Sequence, residues 1–129
     1  MPKIKLLAEA GSFIAFSTER GQAAAAGDPY SGFNACHYTG DSGEHVAGCR
    51  AELADRLGIS AERLVIPRQT HSDRVAVIDS VPVRGETVEG IDALVTKMRD
   101  VALCINTADC VPVLLHDSEA GVAAAAHCG

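Results

Sequence analysis

The sequence predicts an α+β (mixed α/β) protein in which a buried mixed sheet is flanked by helices. Three observations support this fold class: apolar residues at helical spacing over 43–57, six short apolar runs after that segment, and an aliphatic composition. Hydrophobic residues make up 47% of the chain and aromatic residues only 4%, so Val, Leu, Ile and Ala must form the core. A length of 129 residues fits one domain, 1–129.

The helix is predicted from about Gly43 to Leu57. Asp41 is placed to cap its N-terminus, and Glu44 completes a capping box three residues later. An apolar stripe at helical spacing is formed by Val46, Cys49 or Arg50, Leu53 and Leu57. Gly58 predicts the end of the helix, and a second short helical turn is predicted from Ser60.

Strands are predicted where short apolar runs are bounded by Gly, Asp, Ser or Pro. The predicted strands are 64–67, 75–78, 93–96, 101–106, 111–116 and 122–126. Several of these runs are apolar throughout and do not alternate with polar residues. This pattern predicts strands that are covered on both faces.

The last two runs are expected to form an antiparallel hairpin around the loop D-S-E-A-G. In the predicted register His116 lies opposite Val122, and His127 returns to the neighbourhood of Cys110 and Val111. Facing residues in such a pair have Cβ atoms about 5 Å apart. Pro112 weakens the prediction slightly, because proline cannot donate a hydrogen bond within a central ladder.

The composition argues against several classes of protein. A formal net charge of -6 does not provide the basic face that a nucleic-acid binder needs. No run approaches the roughly 18 apolar residues of a membrane helix, and Glu9 interrupts the N-terminal apolar run before a signal-peptide core can form. Five cysteines without C-x-x-C spacing are typical of a reducing compartment. We therefore expect a cytoplasmic protein with no nucleic-acid or membrane partner.

Three polar segments interrupt the apolar runs: R-Q-T-H-S at 68–72, T-A-D-C-V-P at 107–112 and A-H-C-G at 126–129. They contain His71, Cys110 and His127, which together are a three-ligand set of the kind that zinc accepts in catalytic sites. Their wide separation in sequence is not diagnostic by itself. His37, His45 and His116 have no evident partner in the sequence and are interpreted as ordinary packed or surface residues.

The same segments resemble the laccase-domain family, also called the polyphenol oxidase or purine nucleoside phosphorylase family. The resemblance rests on I-D-A-L-V-T (91–96), L-C-I-N-T-A-D-C-V-P-V-L-L-H-D (103–117) and G-V-A-A-A-A-H-C-G (121–129). Further segments agree in order upstream, at 17–21, 29–34, 40–50 and 68–72. The resemblance covers essentially the whole chain and implies a YfiH-like fold, similar to the catalytic domain of cytotoxic necrotizing factor toxins.

This resemblance implies that His71, Cys110 and His127 bind a metal, with zinc expected and copper as an alternative. It also implies an enzyme that acts on purine nucleosides, by phosphorolysis of adenosine, inosine and methylthioadenosine and by deamination of adenosine. Small-molecule nucleosides and phosphate are then the expected partners. Asp109 is a candidate for orienting a ligand or relaying a proton, and Arg68 or Arg20 for receiving phosphate.

The chain departs from the family pattern in three respects. Cys128 stands where relatives have a small residue, and Cys49 with Arg50 stands where many relatives have an Asn-Arg pair on the helix. We expect the second change to affect packing more than chemistry. Relatives also continue well beyond the A-H-x-G motif, so we expect the domain to be incomplete at its C-terminal end.

Three other functions are compatible with the same residues. Two histidines and one cysteine suit a copper phenol oxidase, although a multicopper site needs more histidines than the five in this chain. Without a metal, Cys110 and His127 are the nucleophile and base of a hydrolase. With Cys128 as a fourth ligand, the site would be a structural zinc module. Against this, His127 and Cys128 are adjacent, and adjacent residues of a strand point to opposite faces.

Overall fold

The computed structural model describes residues 3–21 and 27–129 of the chain. The chain forms two compact units, Met1–Gly58 and Ile59–Gly129. No helix in the described ranges is both long enough and apolar enough to cross a membrane. The combination of one long helix with parallel and antiparallel strand pairs confirms the predicted α+β class.

The first unit begins with an antiparallel hairpin of β1 (Lys3–Ala10) and β2 (Phe13–Glu19). Gly11 has a φ of 59° in the connecting turn, a conformation that glycine adopts without steric cost. This hairpin is absent from the strands predicted from the sequence. The apolar residues 6–8 are consecutive there and hide the alternation, and the pairing has an irregularity at the same place, between Leu6 and Ala8.

Helix α1 spans Gly43–Leu57 with the predicted bounds, but the predicted cap is wrong. The side-chain oxygen of Ser42 accepts the hydrogen bond from the His45 N–H at 3.1 Å. The Asp41 carboxylate lies one residue too early for this role and accepts from the Ser42 N–H instead. Gly58 ends the helix in the left-handed conformation, as predicted.

Two histidines of the first unit have partners that the sequence did not indicate. His45 contacts Asp41 through one ring nitrogen and Cys49 through the other. The Nδ1 atom of His37 lies 2.8 Å from a guanidinium nitrogen of Arg50. The interpretation of these two histidines as residues without partners is therefore corrected.

The second unit contains six strands and two short 3-10 helices, Ala61–Arg63 and Gly85–Thr87. The strands are β3 (Leu64–Val65), β4 (Val75–Ile78), β5 (Ala93–Thr96), β6 (Ala102–Leu103), β7 (Val111–Asp117) and β8 (Val122–Cys128). β3 and β6 pair in parallel, and the other four form a mixed sheet in the order β4-β5-β8-β7. Within it β4 and β5 are parallel, whereas β8 is antiparallel to both β5 and β7.

One face of the mixed sheet supplies the core, which is aliphatic as the composition predicts. Its buried cluster is formed by Val65, Ala76, Ile78, Ile91 and Leu94. On β4, Val75 and Val77 are 57% and 67% exposed, and Val111 and Leu115 of β7 are exposed as well. The prediction that these strands are covered on both faces is wrong for these residues, because an apolar run does not reveal what packs against each side.

The predicted hairpin of β7 and β8 is present, with a register that differs by one residue. Asp117 pairs with Val122, so His116 lies opposite Ala123. Asp117 is the last strand residue, and its carboxylate accepts the N–H groups of Glu119 and Ala120 in the turn. β7 is an edge strand, which explains why Pro112 is tolerated there.

Candidate metal centre

Strand pairing in the second unit brings the three predicted ligands to one end of the mixed sheet. Cys110 directly precedes β7, and His127 is the penultimate residue of β8, paired with Pro112. His71 lies in the loop before β4, where it has a φ of 60°. A positive φ is uncommon for residues other than glycine and persists only when the surroundings hold it.

The potential ligand atoms of His71, Cys110 and His127 all lie within 4.8 Å of one another. The Cys110 Sγ is 3.8 Å from the His71 Nε2, and the two imidazole rings meet edge to face with centroids 5.0 Å apart. Exposure decreases from His71 through Cys110 to His127, which is buried. The cluster is therefore open to solvent on the side of His71.

Asp92, a residue that the sequence did not indicate, holds the loop of His71. It lies directly before β5 and is only 2% exposed. Its two carboxylate oxygens accept hydrogen bonds from the backbone N–H groups of Thr70, His71 and Ser72, at 2.9 to 3.0 Å. Three donors on one carboxylate account for the unusual backbone conformation at His71. The only sequence signal was an acidic residue just before a buried strand.

Asp92 also orients His127. The carboxylate oxygen Oδ2 lies 2.8 Å from the His127 Nδ1, and the His127 N–H donates to the Asp92 carbonyl at 2.7 Å. Burial alone would raise the pKa of Asp92, but the hydrogen bonds from Thr70, Ser72 and His127 outweigh it and hold the pKa well below its usual range. An ionised carboxylate requires a proton on Nδ1, so the lone pair of Nε2 is left available for a metal.

A second contact fixes the loop of Cys110 to the loop of His71. The Gln69 side-chain amide donates to the Asn106 carbonyl at 2.7 Å and accepts from the Asn106 N–H at 2.7 Å. This paired hydrogen bond joins the segment before β4 to the segment before β7. Both loops therefore keep a constant separation, which an ordered three-residue site needs.

Gly129 passes close behind the cluster. A Cβ atom at this position would lie 3.1 Å from His71 Cδ2 and 3.6 Å from Cys110 Sγ. Even the smallest side chain would therefore press on the His71 ring. The glycine of the A-H-C-G segment has a steric role that the sequence alone did not reveal.

The other candidate residues are distributed differently. Asp109 precedes Cys110 and is exposed. Among the described residues, it is the Asp92 carboxylate that hydrogen-bonds to one of the predicted ligands, His127. Arg68 pairs through its Nε with Glu89 at 3.5 Å, and Arg20 belongs to the first unit. Cys128 is exposed and is not part of the three-residue group.

Arg74 was not predicted but lies next to the site. It lines a cavity of about 430 Å³ together with His71, Asp92, His127 and Gly129. A cavity of this size is within the range of small-molecule sites. The sequence signal for Arg74 was weak, since an exposed arginine three residues after a histidine is common.

The donor set of the cluster fits a metal ion. Two imidazole nitrogens and one thiolate are ligands that zinc and copper both accept. Tetrahedral zinc places a nitrogen and a sulfur ligand about 3.6 Å apart, close to the 3.8 Å between Cys110 Sγ and His71 Nε2. Three protein ligands leave a fourth position for water or substrate.

Comparison with known proteins gives related sequences over the same region. A family model described as multi-copper polyphenol oxidoreductase laccase matches residues 14–129. Adenosine deaminase RL5, from an unknown prokaryotic organism, is 47% identical over 121 residues, which cover 89% of this chain and 46% of that protein. A purine nucleoside phosphorylase of Corynebacterium glutamicum is 50% identical over 101 residues, covering 78% of this chain and 41% of the relative. The chain thus spans about half the length of these relatives.

Solved structures share the fold. The hypothetical protein YfiH of Bacillus licheniformis superposes with a TM-score of 0.78 at 28% identity, over 90% of this chain and 45% of that one. Protein NMB0706 of Neisseria meningitidis gives a TM-score of 0.79 at 26% identity, over 98% of this chain and 50% of the other. These values confirm the YfiH-like fold that the sequence motifs predicted.

Proposed function

Because the chain belongs to the multi-copper polyphenol oxidoreductase laccase family, we propose that it provides the metal site of a purine nucleoside enzyme. The proposed reactions are phosphorolysis of adenosine, inosine and methylthioadenosine, and deamination of adenosine. The observation that carries the proposal is the cluster of His71, Cys110 and His127, with ligand atoms within 4.8 Å of one another. The names of the relatives, purine nucleoside phosphorylase and adenosine deaminase, supply the substrate class.

Zinc is the proposed metal, held by Cys110 Sγ, His127 Nε2 and one nitrogen of His71. When bound, it would polarise the substrate or lower the pKa of a bound water to about 7. The exposed side of His71 provides the approach for substrate. The five free cysteines are compatible with the reducing cytosol, which we propose as the location.

Asp92 is proposed as the residue that keeps His127 in its reactive tautomer. Its ionised carboxylate holds the proton on Nδ1 and leaves Nε2 free to bind the metal. Asp109, one residue from Cys110, is proposed as a group that exchanges a proton with solvent at the exposed side. The two carboxylates would thus have separate roles, one in orientation and one in proton transfer.

Arg74 is the proposed phosphate ligand in addition to the predicted Arg68 and Arg20. It lines the cavity beside His71 and His127, whereas Arg68 is paired with Glu89. A guanidinium group binds two phosphate oxygens at once. Arg74→Ala should raise the KM for phosphate, and Arg84→Ala, an exposed arginine of the same unit that does not line this cavity, is the matched control.

The test uses the intact protein with zinc, adenosine and phosphate, with products separated by chromatography. We expect adenine with ribose 1-phosphate, or inosine, from the unmodified chain and from a Cys128→Ala control. Cys110→Ala should form neither product. Absence of product from the unmodified chain, with one zinc bound per chain, would overturn the proposed nucleoside chemistry.

Copper-dependent oxidation of phenols is the second candidate, favoured by the description of the family. The same donor set accepts copper. Metal analysis and oxidation of a phenol by the copper-loaded chain distinguish the two activities. A metal-free hydrolase with Cys110 as nucleophile is distinguished by alkylation, because a metal-bound thiolate reacts with iodoacetamide only after chelation.

A further inference from the structure

A second cluster of reactive groups lies in the first unit, on residues 41, 45 and 49. Asp41 precedes the N-cap of α1, and His45 and Cys49 follow at intervals of four residues. Side chains four residues apart lie on the same side of a helix. A carboxylate, an imidazole and a thiol are therefore aligned along one side of α1.

The contacts within this cluster form a continuous chain. The His45 Nδ1 contacts the Asp41 Oδ2, and the His45 Nε2 lies 3.5 Å from the Cys49 Sγ. Asn34 supports both ends: its side-chain amide donates to Asp41 Oδ2 at 3.2 Å, and its backbone N–H donates to Cys49 Sγ at 3.5 Å. This is the order of groups that activates a nucleophile: a thiol, a base beside it and a third group that orients the base.

The arrangement does not suit a metal ion. The two ring nitrogens of His45 face different partners, so the carboxylate of Asp41 and the sulfur of Cys49 lie on opposite sides of the imidazole. Burial would raise the pKa of Asp41, but hydrogen bonds from His45, Asn34 and the Ser42 N–H lower it overall. An ionised Asp41 accepts a hydrogen bond from the proton that His45 carries on Nδ1, which leaves the lone pair of Nε2 facing Cys49.

Cys49 borders a cavity. Cys49 and His45 line a space of about 350 Å³, together with Phe33, Arg20, Glu44 and Glu52. Cys49 is buried at 7% exposure, so this cavity is the route by which the proposed reaction would have to occur. The lining includes both basic and acidic side chains, which suits a ligand carrying carboxylate and amino groups.

We propose that Cys49 is a reactive thiol that exchanges with low-molecular-weight disulfides, with His45 as its base and Asp41 as a positioning residue. His45 Nε2 takes the proton from Cys49 Sγ, and the thiolate attacks one sulfur of the disulfide. A new S–S bond forms at Cys49, the original S–S bond breaks, and the released thiolate takes the proton back from His45. Cys49 is oxidised to a mixed disulfide, and half of the reagent is reduced to a thiol.

This site shares no residue with the proposed metal centre, whose ligands lie in the second unit. It also involves Cys49, one of the two positions where the chain departs from the family pattern described above. Cys49, whose presence in place of asparagine was expected to affect packing, therefore places a thiol beside the imidazole that Asp41 orients.

The test treats the reduced chain with oxidised glutathione at pH 7 and quantifies the modification of each cysteine by mass spectrometry of peptides. Cys36 is the internal control, because it lies in the same unit and is 8% exposed, close to the 7% of Cys49. An unassisted thiol is only a few per cent ionised at neutral pH, so full activation accelerates the reaction up to about 30-fold. We expect Cys49 to react at least about tenfold faster than Cys36 and His45→Gln to abolish most of this difference.

Variants of the positioning residue separate activation from mere exposure. The charged groups that contact His45 or line the cavity with it are Asp41, Glu44, Glu52 and Arg20. We expect Asp41→Asn to slow the reaction at Cys49 without changing the rate at Cys36, and Asp41→Glu to restore most of the rate. Equal rates at Cys49 and Cys36 in the unmodified chain would overturn the proposal even if a variant fails to fold.

Discussion

At the scale of single residues, Asp92 organises the candidate metal centre. One buried carboxylate accepts the backbone N–H groups of the His71 loop and contacts the His127 ring. A sequence motif predicts the proposed metal ligands but not this residue, because its partners are 20 to 35 positions away in the chain. Its effects on metal affinity and on stability can be measured separately.

Asp92→Asn is expected to lower metal affinity by about 10- to 100-fold, the usual effect of removing a carboxylate that supports a histidine ligand. The amide cannot hold the Nδ1 proton of His127 as an ionised carboxylate does. Competition with a chromogenic chelator measures the change. Asp109→Asn changes a carboxylate next to Cys110 in the sequence and should have a much smaller effect on metal affinity. Equal effects would contradict the proposal that Asp92 orients His127.

The lowered pKa of Asp92 also predicts how stability depends on pH. A carboxyl group whose pKa is lower in the folded chain stabilises the fold above its unfolded pKa of about 4, and the contribution is lost as pH falls through the folded pKa. In urea unfolding of the metal-free chain, the difference between the unmodified chain and Asp92→Asn should be constant above about pH 5 and shrink below about pH 4. A difference that grows on acidification would contradict this prediction.

Gly129→Ala should weaken metal binding without disturbing the sheet. The added Cβ lies 3.1 Å from the His71 ring, so the ring must shift by a few tenths of an ångström. Gly85→Ala is the matched control, because a Cβ at that position meets nothing within 4 Å. Calorimetric titration with zinc measures both variants, and equal affinities would show that the close approach at Gly129 is without consequence.

At the scale of elements, local patterns predicted α1 and the six strands of the second unit, and packing decided their details. The helix bounds follow from apolar spacing and Gly58. The N-cap is Ser42 and not the predicted Asp41, because the Ser42 side chain is the one placed to accept the His45 N–H. The hairpin of β7 and β8 shifted by one residue because Asp117 completes the strand and supports the turn. Turn geometry therefore determined the register.

The two faces of the mixed sheet predict opposite responses to truncation. Leu94 of β5 has no exposed surface, and Leu94→Ala should lower the free energy of unfolding by about 2–5 kcal/mol through lost burial and a cavity. Val77→Ala on β4 is the control, since Val77 is 67% exposed and should change stability by less than about 1 kcal/mol. Urea denaturation measures both, and similar losses would mean that the exposed face is packed in solution.

At the scale of the whole molecule, metal binding should couple to stability. A metal that binds only the folded chain stabilises it by about 2.7 kcal/mol at a free concentration 100 times its Kd. Chelation is therefore expected to lower the Tm of the unmodified chain, measured by circular dichroism. Cys110→Ala removes one proposed ligand and should show little change in Tm, so an equal shift in that variant would indicate that the chelator acts elsewhere.

The sequence by itself determined the fold class, the helix and the places of the six strands of the second unit, and it predicted His71, Cys110 and His127 as the site, because these depend on local spacing and short motifs. The tertiary structure decided the convergence of those three residues, the contacts of Asp92, Gln69 and Gly129, and the alignment of His45 with Asp41 and Cys49. It also decided which face of the sheet is covered. Hydrogen bonds between distant segments, and the packing on either side of a strand, depend on the path of the whole chain, which no local pattern records.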